Sequence, residues 1–314
     1  MTENSSFSRA LPGLQLGIDS TSLGAFKKCP RYYQYTIVEG WQPKELSVHL
    51  HFGILLHSAL ERYDHAKAEG KGHEDARDVM LDWALKETWN SELGRPWISG
   101  DNIKNRISLL RTIIWYVEHF GENDSLSTVL LTNGKPAVEV SFRFDTGLVY
   151  ESTGEKILLC GHIDRIADLN GDHYVSDRKT TKYGLDPRFF SGFTPDNQFS
   201  IYTIAGGVAL GKKTKGLILD GIQIGVNFTR FARNIVPRPE GVLEEWIKDF
   251  GFWARQMETC ALEGYWPMND KGCHMYAGCE FRDICSRSPE TRQQWLNSNF
   301  TKRVWDPLQV RGDI

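Results

Sequence analysis

Positive charge is not in excess in this 314-residue chain: 37 Lys and Arg stand against 40 Asp and Glu, for a net charge of −3. A histone-like cationic blanket is excluded, whereas a local basic channel for nucleic acid is not. Long apolar runs are also missing. The longest uncharged run, Asn197 to Gly211, has 15 residues, short of the roughly 18 or more of a membrane span. Met1 to Leu16 offers neither a basic start nor an apolar core of about 7–15 residues, so no secretory signal is expected and the expected location is the cytoplasm. Six cysteines are too sparse for a secreted disulfide scaffold. With 29 Gly and 12 Pro, collagen-like and low-complexity classes are excluded as well. What is present, 40% hydrophobic, 12% aromatic and 25% charged residues, is globular and sufficient for a core.

Residues 1–18 read as a loose arm, followed by a short helix toward Lys28 capped by Ser20 or Thr21. Phe52, Leu55, Leu56, Ala59, Leu60 and Tyr63 recur at helical spacing, predicting a helix from Leu50 to about Glu69. Further helices are expected at about 74–90 and 103–120. After Pro136 the pattern changes to alternation, with Val138, Val140, Phe142 and Phe144 on one side and Glu139, Ser141 and Arg143 on the other. Strands are expected at 157–168 and 173–180, joined at Asn170-Gly171, a strong hairpin signal. A helix from about Asp196, with Thr194 as cap, a strand over 218–231, a helix over about 240–262 and an irregular tail complete the pattern.

A two-residue loop at Asn170-Gly171 places Asp164 directly opposite Asp177, on one face and beside Lys179. Facing like charges cost up to roughly 1 kcal/mol in solvent and more when buried, so something must compensate. A divalent cation held by oxygen ligands does so and leaves room for water and a phosphate oxygen, with Lys179 orienting the water. That is the chemistry of metal-assisted phosphodiester hydrolysis; a surface hairpin with solvated carboxylates is the alternative. Gln198 and Tyr202, four apart, share a helix face. So do Gly53, His57 and Glu61.

The string Gly161-His162-Ile163-Asp164, then Asp177-Arg178-Lys179-Thr180, then Gln198-Phe199-Ser200-Ile201-Tyr202, resembles the PD-(D/E)XK nuclease superfamily. More narrowly it is similar to the branch with the RecB and AddB nuclease domains and the CRISPR-associated iron–sulfur exonucleases. The resemblance implies an α/β, restriction-endonuclease-like fold, a mixed central sheet flanked by helices. It further implies Asp164, Asp177, His57 and the carbonyl of Arg178 as ligands of Mg2+ or Mn2+, Lys179 as the catalytic lysine, and Gln198 and Tyr202 as contacts to a phosphate, a base or the lysine. Glu139 is either an outer carboxylate or an ordinary solvated Glu.

Cys273, Cys279 and Cys285 recur with five residues between neighbours, and Cys29 lies 244 residues earlier. In the resembling nucleases such a split set holds a [4Fe-4S] cluster, although the family's C-terminal triplet is often tighter. Zn2+ on the same cysteines, or with His274 replacing one, and free buried thiols are the alternatives. Cys160 and Cys260 read as core residues.

Gly206 to Lys213 nearly spells a phosphate-binding loop, but Lys213 replaces the Ser/Thr that binds Mg2+ and the segment leaves a helix instead of following a strand. Arg311-Gly312-Asp313 is a chance motif. Basic and aromatic residues interleave at Lys27–Tyr35 and Lys179–Phe190, where rings would stack bases. The expectation is one nuclease domain over 19–314, with a helical part at about 50–125, a catalytic core at about 136–262 and a cysteine region at about 263–290 joined to Cys29. Its expected substrate is single-stranded DNA or DNA ends, in recombination, repair or phage DNA processing, with a helicase or recombination protein as possible partner. A non-catalytic DNA-end-binding subunit and a zinc-stapled interaction domain are the other readings.

Overall fold

The computed structural model describes residues 6–45, 47–121, 124–275, 278–303 and 305–308; the Arg311-Gly312-Asp313 motif and the first five residues lie outside them. In chain order the first elements are β1 (Gly17–Ile18), α1 (Ser20–Lys28), α2 (Pro30–Tyr33), β2 (Trp41–Pro43), α3 (Val48–Ala68) and α4 (His73–Glu87). A small hairpin, β3 (Trp89–Asn90) and β4 (Arg95–Pro96), leads to α5 (Arg106–Phe120), β5 (Ser127–Thr128) and β6 (Val138–Val149). Then come β7 (Lys156–Leu169), β8 (Asp172–Thr181), α6 (Pro187–Ser191), α7 (Asn197–Leu210), β9 (Gly216–Ile224) and β10 (Thr229–Pro237). The chain closes with α8 (Glu240–Glu263), α9 (Arg282–Cys285), α10 (Pro289–Asn299) and β11 (Phe300–Lys302). Two compact units result, one of Leu46–Val140 and His162–Pro239, the other of Met1–Glu45, Ser141–Gly161 and Glu240–Ile314.

In the first of these units, β7 and β8 pair antiparallel, β8 and β9 parallel, and β9 and β10 antiparallel, with β5 against β7. The sheet is therefore mixed. Asn170 and Gly171 both take positive φ, 54° and 87°, as a two-residue turn of matching twist requires. The resulting register, Leu169↔Asp172 to Arg165↔Ser176, is the one the loop length implied. Helices α3, α4 and α5 pack through Phe52, Leu56, Leu60, Met80 and Ile113, all fully buried, onto Ile222 and Ile224 of β9. Each such side chain contributes about 1.5–3 kcal/mol on leaving water.

Two expectations are corrected in this unit. The strand expected over 218–231 is two strands, because the chain turns at 225–228, where the Phe228 ring would lie 2.2 Å from any Cβ at Gly225. The cap of α7 is Asp196, not Thr194: its carboxylate accepts from the Phe199 amide at 3.0 Å. The near phosphate-binding loop is the C-terminal end of α7, closed by Gly211 at φ 62°.

In the other unit, residues 6–18 are not a loose arm. Leu14 and Ile18 are fully buried, Gly17 pairs with Leu158 in parallel, and Gln15 accepts from Tyr33 at its side chain and from Tyr150 at its carbonyl. Apolar anchors at positions 14 and 18 fix a segment whose polar composition suggested freedom. Helix α1 is capped by Asp19 in a reciprocal box with Ser22, not by Ser20 or Thr21. The tail, expected to be irregular, carries α10 and β11, the latter pairing with β2. Cys160 is fully buried, whereas Cys260 is only half-buried.

Candidate metal and catalytic site

Alternation along β8 puts Asp177 and Lys179 on one face and Arg178 on the other, while Asp164 sits one residue past the last β7–β8 rung. Asp177 is 1% exposed and ion-paired to Lys179 Nζ at 2.8 Å. His57 on α3 brings Nδ1 to 2.9 Å from Asp164 Oδ2. Asp164 Oδ2 and Asp177 Oδ2 are both buried, and each meets its cation, His57 or Lys179, without an aligned hydrogen-bond donor among the described residues. Buried, incompletely satisfied carboxylate oxygens are costly. They are also the hard donors a divalent cation takes, so these residues fit Mg2+ or Mn2+.

Burial works against charge throughout the site, and partners decide the outcome. For Asp164 burial is overcome by His57, Lys179 and Arg178, holding its carboxyl at about 2. For Asp177 burial and the neighbouring Asp164 charge prevail over Lys179, raising it above the usual carboxylate value. Burial would lower His57 and Lys179, but the two aspartates raise both, with Asp196 adding to the effect on Lys179. Lys179 therefore remains an ammonium at neutral pH.

Among the described residues no three His, Cys, Asp or Glu side chains form a ready metal-ligand set. His57, expected as a ligand beside Asp164 and Asp177, lies against Asp164 as an ion pair. Arg178 turns its side chain to Asp64 at 2.6 Å and to the Tyr116 hydroxyl at 3.0 Å. Gln198 Nε2 donates to Tyr202 Oη at 3.0 Å, and Lys179 lies over the ring of Phe199 between them, 5.8 Å from its centroid. Glu139 has φ 49°, so the regular alternation that put it on a polar strand face fails at that residue.

The cysteines lie in the other unit. Cys29 is buried and accepts from the Asn269 amide at 3.3 Å; Cys279 and Cys285 pack beside Tyr35 and Phe281. Cys285 feels the charges of Cys279 and Cys29, and Cys279 that of Cys273, so the four are brought into one neighbourhood. Among the described residues they do not form a ready set of three or more ligands. Burial pushes Cys279 up and Cys285 up to about 11. In the Lys27–Tyr35 stretch, Arg31 and Tyr33 are buried and Lys28 covers Tyr32, so it is largely core. In the second stretch Tyr183 is 71% exposed beside Lys182.

Sequence reading missed a buried ionic network behind the site. Asp64 receives Arg178 and, at 3.3 Å, Arg165; Tyr116 donates to Asp220, and Arg233 bridges Asp220 and Asp124. The signal was available in two places: Arg165 and Arg178 directly follow Asp164 and Asp177, and Asp64 lies two helical turns beyond His57. Lys104 was also missed; it is 7% exposed, over the Phe52 ring, and donates to Thr180 Oγ1 at 3.0 Å.

The family model of the PD-(D/E)XK nuclease superfamily matches residues 20–286. A candidate exonuclease from Eubacterium rectale is similar in structure at 13% identity and TM-score 0.47, over 87% of this chain and 94% of its own. The protein SSO0001 is similar at 14% identity and TM-score 0.36, over 86% of each chain. No curated protein gives a significant match. With the family model spanning most of the chain, including α3, the β7–β8 hairpin and α7, the protein belongs to the PD-(D/E)XK nuclease superfamily.

Proposed function

We propose that this protein is a Mg2+- or Mn2+-dependent deoxyribonuclease of the RecB/AddB-like branch, an exonuclease acting on single-stranded DNA or DNA ends. The observation that carries the reading is the pairing of Asp164 and Asp177 on one face of the hairpin, with Asp177 buried and the Lys179 ammonium 2.8 Å from its Oδ2. Asp164, Asp177, His57 and the Arg178 carbonyl would hold the cation, which when bound supplies Lewis-acid polarisation of a phosphate oxygen and a more acidic water. Lys179 is held charged by Asp177 and Asp164, so its part is to donate hydrogen bonds and offset negative charge at the phosphate; it does not act as a base. Gln198 and Tyr202 offer an amide and a phenol on one helix face to the strand being cut. Exposed Tyr183 beside Lys182 suits stacking of an unpaired base and contact with its phosphate.

The test is incubation of wild type and Lys179→Ala with end-labelled single- and double-stranded DNA in Mg2+, Mn2+ or EDTA. Metal-dependent release of nucleotides from ends, lowered at least about 100-fold in the variant, is expected. DNA binding with no cleavage under any condition would move the protein to the non-catalytic DNA-end-binding class.

A further inference from the structure

A second feature of the sheet-bearing unit is separate from the carboxylate pair. A cavity of about 370 Å³ opens between α3, α5 and the strands, lined by Arg165, Arg178, Lys67, Phe120, Ser127 and Leu130 among others. Arg165 is 5% exposed, and only its Nη1 is satisfied, by Asp64 at 3.3 Å. Its Nε and Nη2 have no hydrogen-bond partner among the described residues. Those two nitrogens form one edge of the planar guanidinium, the fork that matches two oxygens of a phosphate or carboxylate.

Locally, Asp64 is a single carboxylate shared by two guanidiniums, Arg165 and Arg178, while Asp124 and Asp220 are both taken by Arg233. Lys67 adds a further cation at the wall. A buried, half-satisfied guanidinium is expensive unless an anion completes it. The volume lies in the roughly 300–1,000 Å³ range of small-molecule sites, leaving room beyond a single anion, and Phe120, Val117 and Leu126 give the remaining space an apolar wall.

We propose that this cavity binds a phosphate monoester dianion, with the side edge of Arg165 as its anchor and space for an attached nucleoside. The site does not depend on the nuclease reading. Because Arg165 and Arg178 each adjoin one of the paired aspartates, an occupant would brace the strands from behind.

Calorimetric titration in EDTA tests it, using deoxyadenosine 5′-monophosphate, inorganic phosphate and deoxyadenosine. Wild type and Lys179→Ala are expected to bind the monophosphate alike, and deoxyadenosine at least tenfold more weakly. Arg165→Met should weaken binding at least tenfold. Leu130→Trp, which fills the cavity from a 58% exposed position, should do the same and carries the test if the Arg165 variant does not fold. Equal affinity for inorganic phosphate would assign the site to the free anion, and tighter monophosphate binding to the nucleotide; both uphold it. No binding by wild type, or binding undiminished in Leu130→Trp, would overturn it.

Discussion

Arg178 shows how one residue serves two faces of a strand: its neighbours in sequence, Asp177 and Lys179, form the site while its guanidinium is buried against Asp64 and Tyr116. Removing one member of such a pair leaves a buried charge unanswered, at about 3–5 kcal/mol. Asp64→Asn and Arg178→Met are each expected to lose that much in denaturant unfolding, and the double variant less than their sum. Additive losses would show that the two residues do not stabilise each other. Lys104 is the opposite case, a buried cation with no carboxylate hydrogen-bonded to it in the structure; burial lowers its pKa from 10.5 to about 8. Below pH 8 it is charged in both the folded and the unfolded chain, and folding bears the desolvation. Between about 8 and 10.5 the unfolded chain binds more protons, so folding stability rises with pH. Lys104→Met should therefore be more stable than wild type by about 1–2 kcal/mol at pH 7, with the advantage shrinking toward pH 10. A constant difference across that range would contradict the assignment.

At the level of elements, the β7–β8 hairpin was legible because Asn-Gly fixes both loop length and register, and register in turn decides which carboxylates share a face. Helix α3 was legible from its apolar spacing, whereas His57 was singled out only by the resemblance, and it does lie against Asp164. The Arg165–Asp64–Arg178 network was missed, because its sequence traces, arginines directly after the two aspartates and Asp64 two turns beyond His57, do not by themselves say which of them meet. The anchoring of residues 6–18 was missed too, because it depends on partners such as Tyr33 and Tyr150 far along the chain. The cysteine spacing hinted at proximity, and the four thiols do share one neighbourhood. Helix α7 offers a test at this scale. Asp196 both caps it and contributes to the field on Lys179, so Asp196→Ala should cost about 0.5–2 kcal/mol, read by chemical denaturation; Asp196→Ser, which keeps a capping oxygen without the charge, should restore most of it. Equal losses in both variants would show that the cap is not the source.

For the molecule as a whole, the nearly balanced charge means that any hold on DNA rests on local charge and not on a global attraction. Among the described residues no helix is long and apolar enough to cross a membrane. The proposed metal site rests on one pair of carboxylates, Asp164 and Asp177, in the unit of Leu46–Val140 and His162–Pro239. The most direct measurement is calorimetric titration of Mn2+ into wild type, Asp164→Asn and Asp177→Asn at neutral pH. Saturable binding to wild type that is lost or weakened at least tenfold in both variants is the expected result. Wild-type affinity retained in either variant would remove that aspartate from the metal site and contradict the carboxylate-pair assignment.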